Sequence, residues 1–204
     1  MTSLTPPQTI GPFFAYCLTS SDYGQKLITS NRVQAGNERQ VLIKGSIYDG
    51  NGAPVTDAML EIWQIDAQSR LPKDLHDTNT SFNGFARSGT DVQGSYQFET
   101  VKPGQSLDLN NVLQAPHINV VVFARGLISH LFTRIYFSDE NCNETDPTLS
   151  SIKDVRRRAS IIATRASESD QCTTYIFDIH LQGAFETIFF RWNESILINN
   201  QEDQ

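Results

Sequence analysis

The stretch that decides the fold is APHINVVVFARGLISHLFTRIYF, Ala115–Phe137. It holds two runs rich in β-branched and aromatic residues, 117–126 and 130–137, with Gly126 at the break between them. Such runs, bounded by turn residues, read as successive central strands. Side chains alternate faces along a strand, so His117 and Asn119 point the same way. A second histidine at 119 would complete a pair of imidazole ligands for iron, copper or zinc. The asparagine leaves three readings open: a metal site, the remnant of one, or an ordinary strand with a histidine in it.

Outward from this core, RQVLIKGSIYD (39–49) alternates apolar and polar residues and runs into DGNG, a strong turn signal. AMLEIWQID (58–66) follows as its expected hairpin partner. GSYQFETV (94–101), TYIFDIHL (174–181) and ETIFFRW (186–192) add further strands, and a short helix is expected around 150–162. The polar stretch 67–93 reads as a long irregular loop. Residues 1–35 and 193–204 carry no periodicity, so they are expected to form an N-terminal arm and a polar tail around a domain spanning 36–192. Seven or so short strands with turn punctuation predict an all-β fold, a β-sandwich of mixed topology with long loops and a short helix.

Composition narrows the class of function. The formal net charge of −7 over 204 residues disfavours nucleic acid and anionic membranes as partners. The one dense basic run, KDVRRR (153–158), reads as a solvated helical face. An acidic chain that handles an anion must therefore do so with a local cation. No apolar stretch approaches the roughly 18–20 residues that span a bilayer, and the N-terminus lacks the basic and apolar regions of a secretory signal. Cys17, Cys142 and Cys172 are odd in number and far apart, which argues against a disulfide framework or a zinc knot. These features together point to a cytoplasmic protein.

Several stretches in order, TPPQTIGPFF (5–14), GSIYDGNGAPVTDAMLEIWQIDAQ (45–68), GSYQFETVKPG (94–104), APHINVVVFARGLISHLFTRIYFSDE (115–140) and YIFDIHLQGAFETIFF (175–190), resemble the intradiol ring-cleaving dioxygenases. The resemblance is to the two-chain members of that family. It implies a β-sandwich alpha chain working beside a homologous beta chain that carries non-haem Fe(III) on two tyrosines and two histidines. It implies as substrates O2 and 3,4-dihydroxybenzoate, a catechol bearing a carboxylate.

In the ligand positions that the resemblance implies, this chain has Leu71 after WQIDAQSR, Ser106 after KPGQ, and His117 and Asn119 in APHIN. Leucine cannot ligate, and a neutral serine hydroxyl is a poor donor for ferric iron. No metal is therefore expected on this chain, and His117 reads as a histidine satisfied by hydrogen bonds. His76, His130 and His180 stand singly, and none of the six tyrosines falls at a position that the family uses. The resemblance gives the chain two contributions instead. Arg125 matches an arginine that reaches the substrate carboxylate, a role that suits a guanidinium able to offer two parallel hydrogen bonds. Taken from spacing alone, Arg125 reads rather as one half of a salt bridge at a strand end. Thr9, Gly11, Pro12 and Phe13 match a segment lining the pocket mouth, with Phe13 standing where the family has tyrosine. Two other readings stay open: an autonomous dioxygenase with atypical ligands, and a non-enzymatic β-sandwich that binds aromatic acids or serves assembly.

Overall fold

The computed structural model describes residues 31–33, 39–72, 82–108, 110–169 and 172–191. Eleven strands run through them: β1 (Gln40–Tyr48), β2 (Met59–Trp63), β3 (Phe85–Gly89), β4 (Ser95–Val101), β5 (Ser106–Leu107), β6 (Leu113–Gln114), β7 (His117–Phe123), β8 (Leu131–Phe137), β9 (Ile162–Glu168), β10 (Cys172–Ile176) and β11 (Ile179–His180). Hydrogen bonding links nine of them along the path β11-β1-β10-β9-β8-β7-β2-β3, with β4 also on β1, while β5 and β6 form a separate ribbon. The pairing is mixed. β1 lies antiparallel to β4 and parallel to β10 and β11, and β8 lies parallel to β9. This is the all-β, mixed architecture expected from the sequence.

The long sheet folds over one core. Val41, Ile43 and Ile47 of β1 and Phe98 of β4 meet Leu60 and Ile62 of β2, together with Ile118, Val120 and Val122 of β7. The alternation on β7 explains this: the even residues go inward, leaving 117, 119 and 121 on the outer face. His117 on that outer face is nevertheless buried, because a second small cluster of Ala115, Tyr136, Leu149 and Ile161 covers this end of the strand. Gly45, inside β1, lets the chain cross closely. A Cβ there would lie 1.8 Å from the Phe177 carbonyl oxygen, which also accepts from the Tyr96 hydroxyl at 2.6 Å.

Four expectations need correction. The segment 58–66 is not the hairpin partner of 39–49, since β2 pairs with β3 and β7. The Asp49 turn does close, through Asp49 N–H to Ala53 O and a Tyr48–Pro54 bridge. Proline has no N–H with which to extend that ladder, and the chain crosses to the other layer. The stretch 186–192 forms no strand among its described residues; it meets the sheet through a Phe132–Phe190 bridge, through bonds between Thr187 and His180 of β11, and through Thr133 Oγ1 donating to Ile188 O. The helix around 150–162 is two one-turn helices, Pro147–Ser151 and Val155–Ala159, because Asp154 caps a new start by accepting from Arg156 and Arg157 N–H. Ile162 onward is strand β9. The supposed loop 67–93 contains β3. The arm 1–30 and the tail 192–204 lie outside the described residues.

Candidate functional site

The four positions matched to metal ligands lie on the loop after β2 (Leu71), on β5 (Ser106) and on β7 (His117 and Asn119). Asp66 is buried at the end of the β2 segment, where its carboxylate accepts from the Gln68 and Arg70 N–H groups at 2.9 and 2.8 Å and from Arg70 Nε at 2.7 Å. Its carbonyl accepts from Gly104 N–H at 2.9 Å. Glycine at 104 permits this contact, since a Cβ there would lie 2.9 Å from the Ala67 carbonyl oxygen. Gln64 adds a second tie, donating to Val101 O at 2.9 Å and accepting from Thr100 Oγ1 at 2.6 Å. These bonds seat the loop leading to Leu71 against the loop leading to Ser106. Leu71 itself is largely exposed, and Ser106 pairs with Gln114 across the small ribbon.

His117 is held by the local chain. Its Nδ1 lies 2.8 Å from the Ala115 carbonyl, which can only accept, so Nδ1 carries the proton and Nε2 the lone pair. Burial, helped by the charge of Arg134, lowers its pKa to about 4, and the Ala115 bond and Asp146 only partly offset this. Ala115 is fixed in turn: its N–H donates to Asp146 Oδ2 at 2.8 Å, while Asp146 Oδ1 accepts from Leu149 N–H at 2.8 Å. A neutral imidazole with a fixed tautomer is what a metal ligand needs. The rest of the donor set does not fit ferric iron, because Leu71, Ser106 and Asn119 bring no anionic oxygen. Among the described residues no three His, Cys, Asp or Glu side chains come together to hold a metal.

Arg125 lies just past β7, in a turn closed by Leu127 N–H to Ala124 O at 3.3 Å. Gly126 has φ +90° there, as the third residue of a type II turn requires. The guanidinium meets Asp57, Nε to Oδ2 at 3.0 Å, yet its side chain stays 68% exposed. The salt bridge at a strand end is thus present, and it leaves the arginine accessible. Asp57 is a partner that the sequence reading missed, because it lies in a turn before β2 with no signal joining it to Arg125. Thr9, Gly11, Pro12 and Phe13 lie outside the described residues.

The outer face of the central strands carries a further feature. Register places Trp63 of β2, Asn119 of β7 and Arg134 of β8 side by side in one row, with Val121 and Phe132 in the next. With Phe190 and Arg191 they line a cavity of about 470 Å³. Arg134 was missed in the sequence, although its cross-strand pairing with Asn119 follows once the β7–β8 hairpin is aligned.

Comparison with known proteins places the chain. A protein-family model described as Dioxygenase matches residues 10–183. The protocatechuate 3,4-dioxygenase alpha chain of Burkholderia cepacia is 43% identical over 93% of this chain and 99% of its own length. That of Pseudomonas putida is 40% identical over 91% and 95%. The beta chain of the B. cepacia enzyme is 30% identical, covering 76% of this chain and 71% of its own. Among solved structures, catechol 1,2-dioxygenase from Acinetobacter sp. ADP1 superposes with a TM-score of 0.59 at 19% identity, over 74% of this chain and 56% of that one, and so shares the fold. By sequence along most of its length and by its sheet architecture, this chain belongs to the intradiol dioxygenase family.

Proposed function

We propose that this chain is the alpha subunit of a protocatechuate 3,4-dioxygenase, in which it anchors the substrate and a homologous beta chain holds the non-haem iron. The substrate is 3,4-dihydroxybenzoate. Both atoms of O2 enter as the bond between its hydroxylated carbons breaks, giving 3-carboxy-cis,cis-muconate. Iron on the partner would supply the redox chemistry. The family's enzymes are non-haem iron proteins, and this chain's own donor set does not suit that metal. Similarity to both an alpha and a beta chain supports a hetero-oligomer. No helix among the described residues is long and apolar enough to cross a membrane. A cytoplasmic setting fits the three scattered cysteines.

The observation that carries the assignment to substrate binding is the exposed Arg125 held by Asp57. The ion pair restrains the guanidinium without covering it, so a carboxylate approaching from another chain can still be engaged. Such a pairing selects against plain catechol, which leaves the arginine without its anion. The arm residues Thr9, Gly11, Pro12 and Phe13 would line the pocket mouth, with the Phe13 ring packing on the substrate.

The experiment compares the purified chain with its complex with the beta chain, by iron content and by cleavage of protocatechuate. The chain alone is expected to hold no stoichiometric iron and to show no activity, and the complex to be coloured and active. Stoichiometric iron in the lone chain would overturn the division of labour. In the complex, Arg125→Ala should raise KM for protocatechuate roughly 10- to 100-fold, the worth of a charge-assisted hydrogen bond, with iron content unchanged. Unchanged kinetics would remove Arg125 from the site.

A further inference from the structure

The cavity on the outer face of β2, β7 and β8 has no part in the function proposed above, and its lining is unusual for this chain. Two arginines face it, Arg134 and Arg191, and no aspartate or glutamate lines it. Arg134 is only partly exposed. Its Nη1 donates to the Tyr136 hydroxyl and to Thr148 Oγ1, both at 3.2 Å, and its guanidinium lies 5.9 Å from the centre of the Phe190 ring. Neither arginine has a carboxylate partner among the described residues.

The nearby acids are engaged elsewhere. Glu61, in the next row on β2, is bound by Arg87 of β3. Asp146 is buried and accepts the Ala115 and Leu149 N–H groups. A second cavity, of about 260 Å³, makes the contrast plain. Its cations are neutralised within its own wall, Arg39 and Arg165 by Glu168, and Lys102 by Asp139 at 3.0 Å. In a chain of net charge −7, a cavity with two cations and no acid is a local exception.

The rest of the wall specifies shape. Trp63, Phe132 and Phe190 offer aromatic faces, and the Asn119 side chain adds an amide without a hydrogen-bond partner among the described residues. A volume of about 470 Å³ falls within the range of small-molecule pockets, roughly 300–1,000 Å³. A carboxylate satisfies a guanidinium by paired hydrogen bonds, and an aromatic ring packs on aromatic walls.

We propose that this cavity is a second ligand site, on the alpha chain itself, for a small aromatic carboxylate of benzoate size. The carboxylate is held by Arg134 and Arg191 and the ring lies among Trp63, Phe132 and Phe190. The site is separate from Arg125 and stands whether or not Arg125 binds substrate.

The test is equilibrium dialysis of radiolabelled benzoate with the alpha–beta complex, alongside the emission of Trp63. The wild-type complex should bind one more benzoate per alpha chain than the R134Q/R191Q double variant. Arg191 is exposed, so Arg191→Gln alone leaves the fold intact, and it should weaken this class of site about tenfold. Benzamide, which has the ring without the charge, should not compete, and inorganic phosphate, which has the charge without the ring, should compete only weakly. Equal benzoate occupancy in the wild type and both variants would overturn the proposal. So would competition by benzamide as strong as by benzoate, which would make the cavity merely apolar, or by phosphate as strong, which would make it a plain anion site.

Discussion

Because the His117 imidazole is buried and donates its Nδ1–H to Ala115, the folded chain resists protonation there until about pH 4. The unfolded chain takes the same proton near pH 6.5. A folded-state pKa below the unfolded one means that acid favours the unfolded state. The loss begins as pH falls through about 6.5 and is complete below about 4. By linkage it amounts to about 2 kcal/mol at pH 5. His117→Gln, which cannot titrate, should shrink the difference in urea-unfolding free energy between pH 7 and pH 5 by about that amount. A variant with the same pH slope as wild type would show that another group carries it. In the sequence His117 could be placed on a strand and set apart from the missing ligands. Its hydrogen-bond partner, Ala115, is local, but its burial could not be read there, since Tyr136, whose ring packs on the imidazole, is brought to it only by folding. The same holds for Arg125, whose partner Asp57 is distant in the chain and is brought beside it only by the antiparallel pairing of β2 with β7.

At the scale of elements, β7 and β8 were legible because the two runs are consecutive, β-branched and separated by a glycine turn, so local pattern and tertiary pairing agree. β9 was not. IATRASE is exposed along most of its length and carries little hydrophobic signal; hydrogen bonds from β10, with a register shift at Thr174/Tyr175, make it a strand. ETIFFRW failed in the other direction, its apolar residues packing against the core without joining a ladder beyond one bridge. A buried carboxylate joins the β6–β7 connection to the helical turn Pro147–Ser151, beside a bond from Gln114 Nε2 to Thr148 Oγ1 at 3.3 Å. Asp146 caps that turn, holds Ala115 N–H and accepts from Tyr136 at 3.3 Å. Asp146→Ala would strip two buried N–H groups of their acceptor and cost about 3 kcal/mol, read as a lowered urea midpoint with an unchanged m-value. A loss under about 0.5 kcal/mol would mean that water replaces the carboxylate.

Over the whole molecule, β10 is the strand that joins two half-sheets. On one side it pairs with β1, and so with β4; on the other it pairs with β9, and so with β8, β7, β2 and β3. A chain ending at Ser169 should therefore lose its single cooperative thermal transition, as seen by near-ultraviolet circular dichroism, though β2, β3, β7 and β8 keep their mutual partners. A wild-type melt in that truncated chain would show that core packing alone holds the halves together. The parallel pairing of Gln40 with Cys172 also sets a clock. At roughly 5–20 residues per second of synthesis, β1 leaves the ribosome of order ten seconds before the strand that covers its second edge. During that interval a nascent chain offers an unpaired strand to its surroundings. Such a protein is expected to be most vulnerable to aggregation while still being made, and to meet its partner only after release.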